Sequence, residues 1–285
     1  MLAAGEPVWV VVSDNAGVYA EAAAALQNDW KAARMDRELQ ILVARDLPVG
    51  PPPPALVTLG SAALRAAMER VDGNPAWAHT TVLSALIPKD GLQAIWRPAP
   101  PNLIAAYLDQ PFERYLDLVK QAMPHLNRVG VLVGPEASTS SPAMFKAAND
   151  RGIKLSVGRV ARPDSMYNTL RTVLAESDVL LVLPDASVAD QAGLQNILIT
   201  AYRQHIPVIA YSPALVKAGA ALGLYASPAQ VGRQVSGMLR NLFSGNPRQP
   251  SRMAEGYTVA INEQVCRSLG LDVPDAAELG ERLKR

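Results

Sequence analysis

The chain carries a single cysteine, Cys266, among 285 residues. An internal disulfide is therefore impossible, and so is a thiolate metal cluster. Charge of one sign is also missing. Lys and Arg total 27 against 26 for Asp and Glu, and no basic stripe stands out, which argues against nucleic acid as the main partner. No window of 18 apolar residues exists, so nothing reads as a membrane span. The first residues have neither a basic stretch nor a long apolar one, so no secretion signal is visible. The small residues Leu2-Ala3-Ala4 are open to two readings, the remnant of a cleavage site or ordinary Ala-rich sequence.

Catalytic signatures are lacking too. There is no G-x-S-x-G elbow, no Walker A motif and no G-x-G-x-x-G dinucleotide loop. The three histidines, His79, His125 and His205, are far apart and lie near strand starts or helix ends, where surface or capping roles fit. No two carboxylates are spaced for acid–base work. Neither a cofactor nor a metal is expected, and the balance favours a binding protein over an enzyme.

What is present is an alternation of strand and helix signals, the mark of parallel α/β architecture. "PVWVVVSDNAGVYAEAAAALQNDWKAAR" gives an apolar strand, a polar loop and an Ala-rich helix. "RVGVLVGPEASTSSPAMFKAANDRG" repeats that order and is stopped by Gly152. Ala55–Val71 parallels Asp178–His205 in pattern, and His79–Pro88 parallels Ile206–Pro213. The break near Tyr107–Pro111 divides the two series, which predicts two similar Rossmann-like lobes with parallel sheets. "FERYLDLVKQAMPHL" is an amphipathic helix with apolar positions at Phe112, Tyr115, Leu116, Leu118, Val119 and Met123. One segment departs from the scheme. "LPVGPPPP" joins two strands with eight residues and five prolines, where a parallel crossover of about a dozen residues usually carries a helix. The first half has therefore lost a helix, and its sheet edge should be bare.

In open parallel sheets, ligands bind beyond the carboxyl ends of the strands. The residues expected there are Ser13, Asp14, Asn15, Gly60, Ser61, Ser84, Glu136, Ser138, Thr139, Ser140, Ser141, Asp185, Ser187, Tyr211 and Ser212. Several precede helices, whose free N–H groups attract anions. The same residue types are also what helix caps require, so each is open to both readings. Asp185 raises the question most sharply. It follows the buried-strand run Val179–Leu183 in "SDVLLVLPDASVADQAG", where a helix is about to begin.

The second half resembles the ABC-transporter substrate-binding protein family, which has a type I periplasmic-binding fold and includes tryptophan- and tyrosine-type amino-acid binders. The resemblance rests on "LPD" after an apolar strand, "IPVI" followed by "LVKAGA", and a late "IN" before "LGL". It covers roughly Tyr107 to Pro274. In the first hundred residues the match is loose. "LPVGPPPP" stands where the family has a helix, and Leu86-Ile87-Pro88 stands where it has an Asp-Pro.

The resemblance implies a first lobe of residues 1–108 plus 224–253 and a second of 109–223 plus 254–285. Three crossings join them, with Tyr107, Asp109, Gln110 and Tyr225 as hinge residues. It implies a small polar or zwitterionic solute trapped between the lobes. Ser13, Asn15, Ser61 and Ser84 would reach it from the first lobe, and Ser138, Asp185, Ser187 and Tyr211 from the second. The expected partners are the solute and an ABC permease or membrane sensor, and the expected location is the periplasm, with the signal peptide removed. The rival readings are a degenerate sensor or docking protein and an uncharacterised α/β enzyme.

Overall fold

The computed structural model describes residues 5–135, 141–162, 165–185, 187–188, 190–245 and 250–284. These fall into two compact units, Met1–Leu108 with Ala226–Gly256, and Asp109–Tyr225 with Tyr257–Arg285. The chain passes from one unit to the other three times, after Leu108, after Tyr225 and after Gly256.

The first unit is built on strands β1 (Val8–Val12), β2 (Leu39–Val43), β3 (Ala55–Leu59), β4 (Thr81–Ile87) and β5 (Leu103–Tyr107). They form a parallel sheet in the order β2-β1-β3-β4-β5. Val, Ile and Leu runs suit strands buried on both faces. Helix α1 (Gly17–Ala32) and helix α9 (Pro228–Phe243) cover one face over Val10, Val57 and Leu83. Helix α2 (Ser61–Gly73) and helix α3 (Lys89–Ile95) cover the other, over Val11, Leu56 and Val82.

The crossover from β2 to β3 contains only a 3-10 turn, Ala44–Asp46. The missing helix is replaced by a tied Pro-rich loop. Arg70 on α2 donates to the carbonyls of Leu47 and Pro48. The Trp77 indole donates to the Gly50 carbonyl at 3.3 Å and packs edge-on against Trp9. Strand β2 pairs only with β1 and is the sheet edge. At the other edge, residue 252 bridges Ala106, its N–H donating to the Ala105 carbonyl and its carbonyl accepting from Tyr107.

The second unit repeats this plan. Its elements are α4 (Phe112–Ala122), β6 (Arg128–Val133), α5 (Ser141–Asn149), β7 (Lys154–Arg159), α6 (Met166–Ala175) and β8 (Val179–Val182). Then come α7 (Gln191–Arg203), β9 (Val208–Ala210), α8 (Pro213–Ala218), β10 (Leu222–Tyr225), β11 (Thr258–Ile261), α10 (Glu263–Ser268) and α11 (Ala276–Arg282). The sheet order is β11-β10-β9-β8-β6-β7, parallel except for β11. Here the second crossover does carry a helix, α6, which packs Leu170, Val173 and Leu174 into the core. Helix α4 buries Tyr115, Leu116, Leu118 and Val119 against the opposite face. Among the described residues, no helix is long and apolar enough to cross a membrane.

Candidate functional site

In the first unit the polar groups gather at the carboxyl ends of β1 and β3. The backbone N–H of Ser13 donates to the Leu59 carbonyl at 3.0 Å. Its Oγ accepts from the Ala63 N–H at 3.1 Å. Ala63 is the third residue of α2, whose N-cap, Gly60, has no side chain to offer. Ser13 therefore caps that helix from a neighbouring strand. Gly60 adopts φ +93°, and a Cβ there would meet Tyr19 Cε1 at 2.4 Å and Ser13 Oγ at 2.6 Å. Only glycine lets the helix start, the Tyr19 ring and the Ser13 hydroxyl come this close.

Asp14 closes its own turn by accepting from the Ala16 N–H at 3.1 Å. Asn15 and Ser61 are exposed beside the N-termini of α1 and α2, and neither helix has a side-chain cap of its own. Ser84 is not at a strand end. It is the fourth of seven residues in β4 and fully buried, because the strand runs on to Ile87. Its hydroxyl and that of its register partner Thr58 are buried with no hydrogen-bond partner among the described residues. Near the end of β4, one residue before its last, Ile87, stands Leu86. A register shift between Ala85 and Ile87 leaves it at φ +54°, a conformation bulky side chains rarely adopt.

The second unit has a corresponding cluster built round Asp185. The Gly134 N–H, just past β6, donates to Asp185 Oδ2 at 2.7 Å. The Ser187 N–H donates to Asp185 Oδ1 at 2.9 Å, and the Ser187 hydroxyl donates to the same oxygen. A Cβ at Gly134 would fall 1.8 Å from Ser187 Oγ. The carboxylate thus clasps the ends of β6 and β8 together. It does not cap the next helix: α7 starts at Gln191, and its N-cap is Asp190, which accepts from the Gly193 N–H at 2.8 Å. The carboxylate is half-buried and Ser187 exposed.

Tyr211 follows β9 and is half-buried, and its phenol is pushed up by burial. Ser212 beside it caps α8 by accepting from the Leu215 N–H at 3.3 Å. Ser141 is buried as the first residue of α5. Glu136, Ser138, Thr139 and Ser140 lie outside the described residues. The three histidines are exposed. Among the described residues, no group of three or more His, Cys, Asp or Glu is placed to hold a metal ion.

Around the crossings, Tyr107 ends β5, and Tyr225 ends β10 with its phenol pushed up by burial. Gln110 is buried and accepts from the Arg114 guanidinium. That guanidinium also lies 4.7 Å from the centre of the Tyr257 ring. Arg114 thereby joins the residues just past the first and third crossings within the second unit.

Three participants escape a reading by residue type, namely Tyr19, Gly60 as a close-approach position, and Gly134. The only sequence signal for the glycines is their place, each directly after an apolar strand.

A family model described as "ABC transporter substrate binding protein" matches residues 106–279. No curated protein sequence matches the chain. Three solved structures share the fold over nearly the whole chain. One is a conserved domain protein of Vibrio cholerae, with 19% identity, a TM-score of 0.61, and 96% of this chain and 98% of that chain covered. Another is an ABC domain from Streptococcus pneumonia in complex with L-Trp, with 13% identity, a TM-score of 0.61, and 97% and 98% covered. The third is a ligand-free, open substrate-binding protein with adhesive properties from Clostridium difficile, with 14% identity, a TM-score of 0.66, and 95% and 96% covered.

Proposed function

The chain belongs to the ABC transporter substrate-binding protein family, a family of solute binders and not of enzymes, and from that premise we propose that it captures a small polar or zwitterionic, amino-acid-like solute. Capture is by hinge closure of the two units, and the chain delivers the solute to an ABC permease from an extracytoplasmic, periplasmic location. The Asp185 clasp carries the reading. A half-buried carboxylate at paired strand ends, braced by three donors, offers a fixed negative charge to a ligand ammonium or hydroxyl.

In this proposal Ser187 and Tyr211 add hydrogen bonds from the second unit. Asn15, Ser61 and the remaining free N–H groups at the starts of α1 and α2 meet the ligand's carboxylate from the first. Tyr19 and Leu86 supply apolar surface beside them. Ser138 is a further contact in this proposal. Ser84 is left out, since it is enclosed in the sheet's core. Tyr107, Asp109, Gln110 and Tyr225 flank the crossings on which closure turns. A ligand drives closure only through contacts made to both units, since equal affinity for open and closed forms shifts nothing.

Two variants on opposite units test this, Ser61→Ala and Ser187→Ala, with the solute found by screening. Each removes one hydroxyl, and each should weaken affinity by about fivefold to tenfold. Loss from one unit alone, with the other variant binding as the parent does, would refute capture between units.

A further inference from the structure

The first unit contains a cavity of about 460 Å³ whose lining includes none of the strand-end residues. Its walls come from one face of α9, from Asp29 on α1 and from residues 252–256. The charged groups are Arg233, Arg240 and Arg252 against Asp29 and Glu255. Arg240 lies 3.3 Å from Asp29, and Arg252 is 2.7 Å from Glu255. Both acids are therefore balanced in charge, although Asp29 Oδ2 is buried with no hydrogen-bond partner among the described residues. Arg233 has no ion pair among the described residues, which leaves one net positive charge. The Nε–H of Arg240 is buried without a hydrogen-bond partner among the described residues. A guanidinium has five N–H donors and no acceptor, so the cavity holds donors in excess. With three guanidinium groups against two carboxylates, the net charge favours an anionic occupant. Its volume is far more than a bare inorganic ion fills.

The cavity also stands where the three crossings leave the unit. Gln230, one of its lining residues, forms a capping box with Ser227, two residues after the second crossing. Gln234 donates to the Met253 carbonyl and accepts from the Glu255 N–H, just before the third. The backbone of Arg252 is hydrogen-bonded to Ala105 and Tyr107, just before the first.

We propose that this cavity is an accessory binding site for a small organic carboxylate, gripped by Arg233, Arg240 and Arg252, and that its occupant stiffens the segments leading into all three crossings. The site is separate from the solute site proposed above and does not depend on it.

Citrate is the probe, with sodium sulfate at equal ionic strength as the control. Titration calorimetry reads affinity, and amide hydrogen exchange reads location. Citrate should bind at one site and slow exchange across α9, residues 252–256 and Tyr107. Arg233→Gln, at an exposed unpaired residue, should weaken binding by about tenfold. Gly237→Met should remove binding by filling the cavity, since a Cβ at Gly237 meets nothing nearer than Arg240 Nη2 at 3.8 Å. The exchange pattern without citrate shows that the variant is folded. The proposal is overturned if citrate gives no heat and no protection at millimolar concentration. Equal protection by sulfate, unchanged binding in Gly237→Met, or protection confined to residues 13–16 and 60–64 would also overturn it.

Discussion

Every hydrogen bond found for the Asp185 carboxylate among the described residues comes from its own unit, from Gly134 and Ser187. The carboxylate therefore has a structural duty before it has any ligand. Replacing it with alanine leaves the Gly134 N–H without its acceptor, so Asp185→Ala should lower stability by about 1–3 kcal/mol. Urea denaturation checks this, with an unchanged m-value expected. Thr58 and Ser84 make the opposite case. Each buries a hydroxyl that no described group satisfies, so the double change Thr58→Val, Ser84→Ala should be neutral or stabilising by about 1 kcal/mol. Unchanged solute affinity in that variant would agree with the exclusion of Ser84 from the site, and weakened affinity would contradict it. Burial also pushes the phenols of Tyr115, Tyr211 and Tyr225 up. Above about pH 10 the unfolded chain loses these protons while the folded chain keeps them, so stability falls as pH rises from there. Urea midpoints at about pH 8 and about pH 11 should differ in that direction.

The elements were legible where apolar period and length agree, as in α4, where Phe112, Tyr115, Leu116, Leu118 and Val119, with Met123 just past its end, are buried or partly buried. Strand ends at Gly60 and Pro184 could be read because glycine and proline stop strands. The loss of a crossover helix was legible too, since five prolines in eight residues leave no room for one. Helix α3 was not, because seven residues with Gly91 inside show too little periodicity. Nor was the reach of β4 past Ser84, because a bulge leaves no mark in composition. Side-chain geometry at the site was the least legible, since capping and ligand contact call for the same residue types. The packing of α9 on α1 gives a test at this scale. A Cβ at Gly232 would fall 2.3 Å from the Ala22 carbonyl oxygen, a backbone atom that cannot swing aside. Gly232→Ala should therefore destabilise the first unit by about 1–3 kcal/mol despite its gain in helix propensity. Thermal unfolding followed by circular dichroism measures it.

The two units share one strand order, 2-1-3-4-5, with β11 added antiparallel to the second. In such sheets the order reverses beside the first strand, and the loops on either side of it part to leave a crevice. Ser13 and Gly60 stand at that place in the first unit, and Gly134 and Asp185 in the second. The same topological position thus carries polar, glycine-permitted close packing twice in one chain, and this supports solute capture better than any single residue does. The family model matches residues 106–279 and so leaves most of the first unit outside it.

The most direct test of the central claim is thermal unfolding of the chain in the presence of amino acids, sugars, nucleobases and vitamins, one at a time. A true solute present at a hundred times its dissociation constant adds about 2.7 kcal/mol of stability. For a chain of this size that corresponds to a rise in Tm of about 4–5 °C. The account predicts at least one such stabiliser, with amino acids or similar zwitterions foremost. A flat result across the whole panel would contradict it.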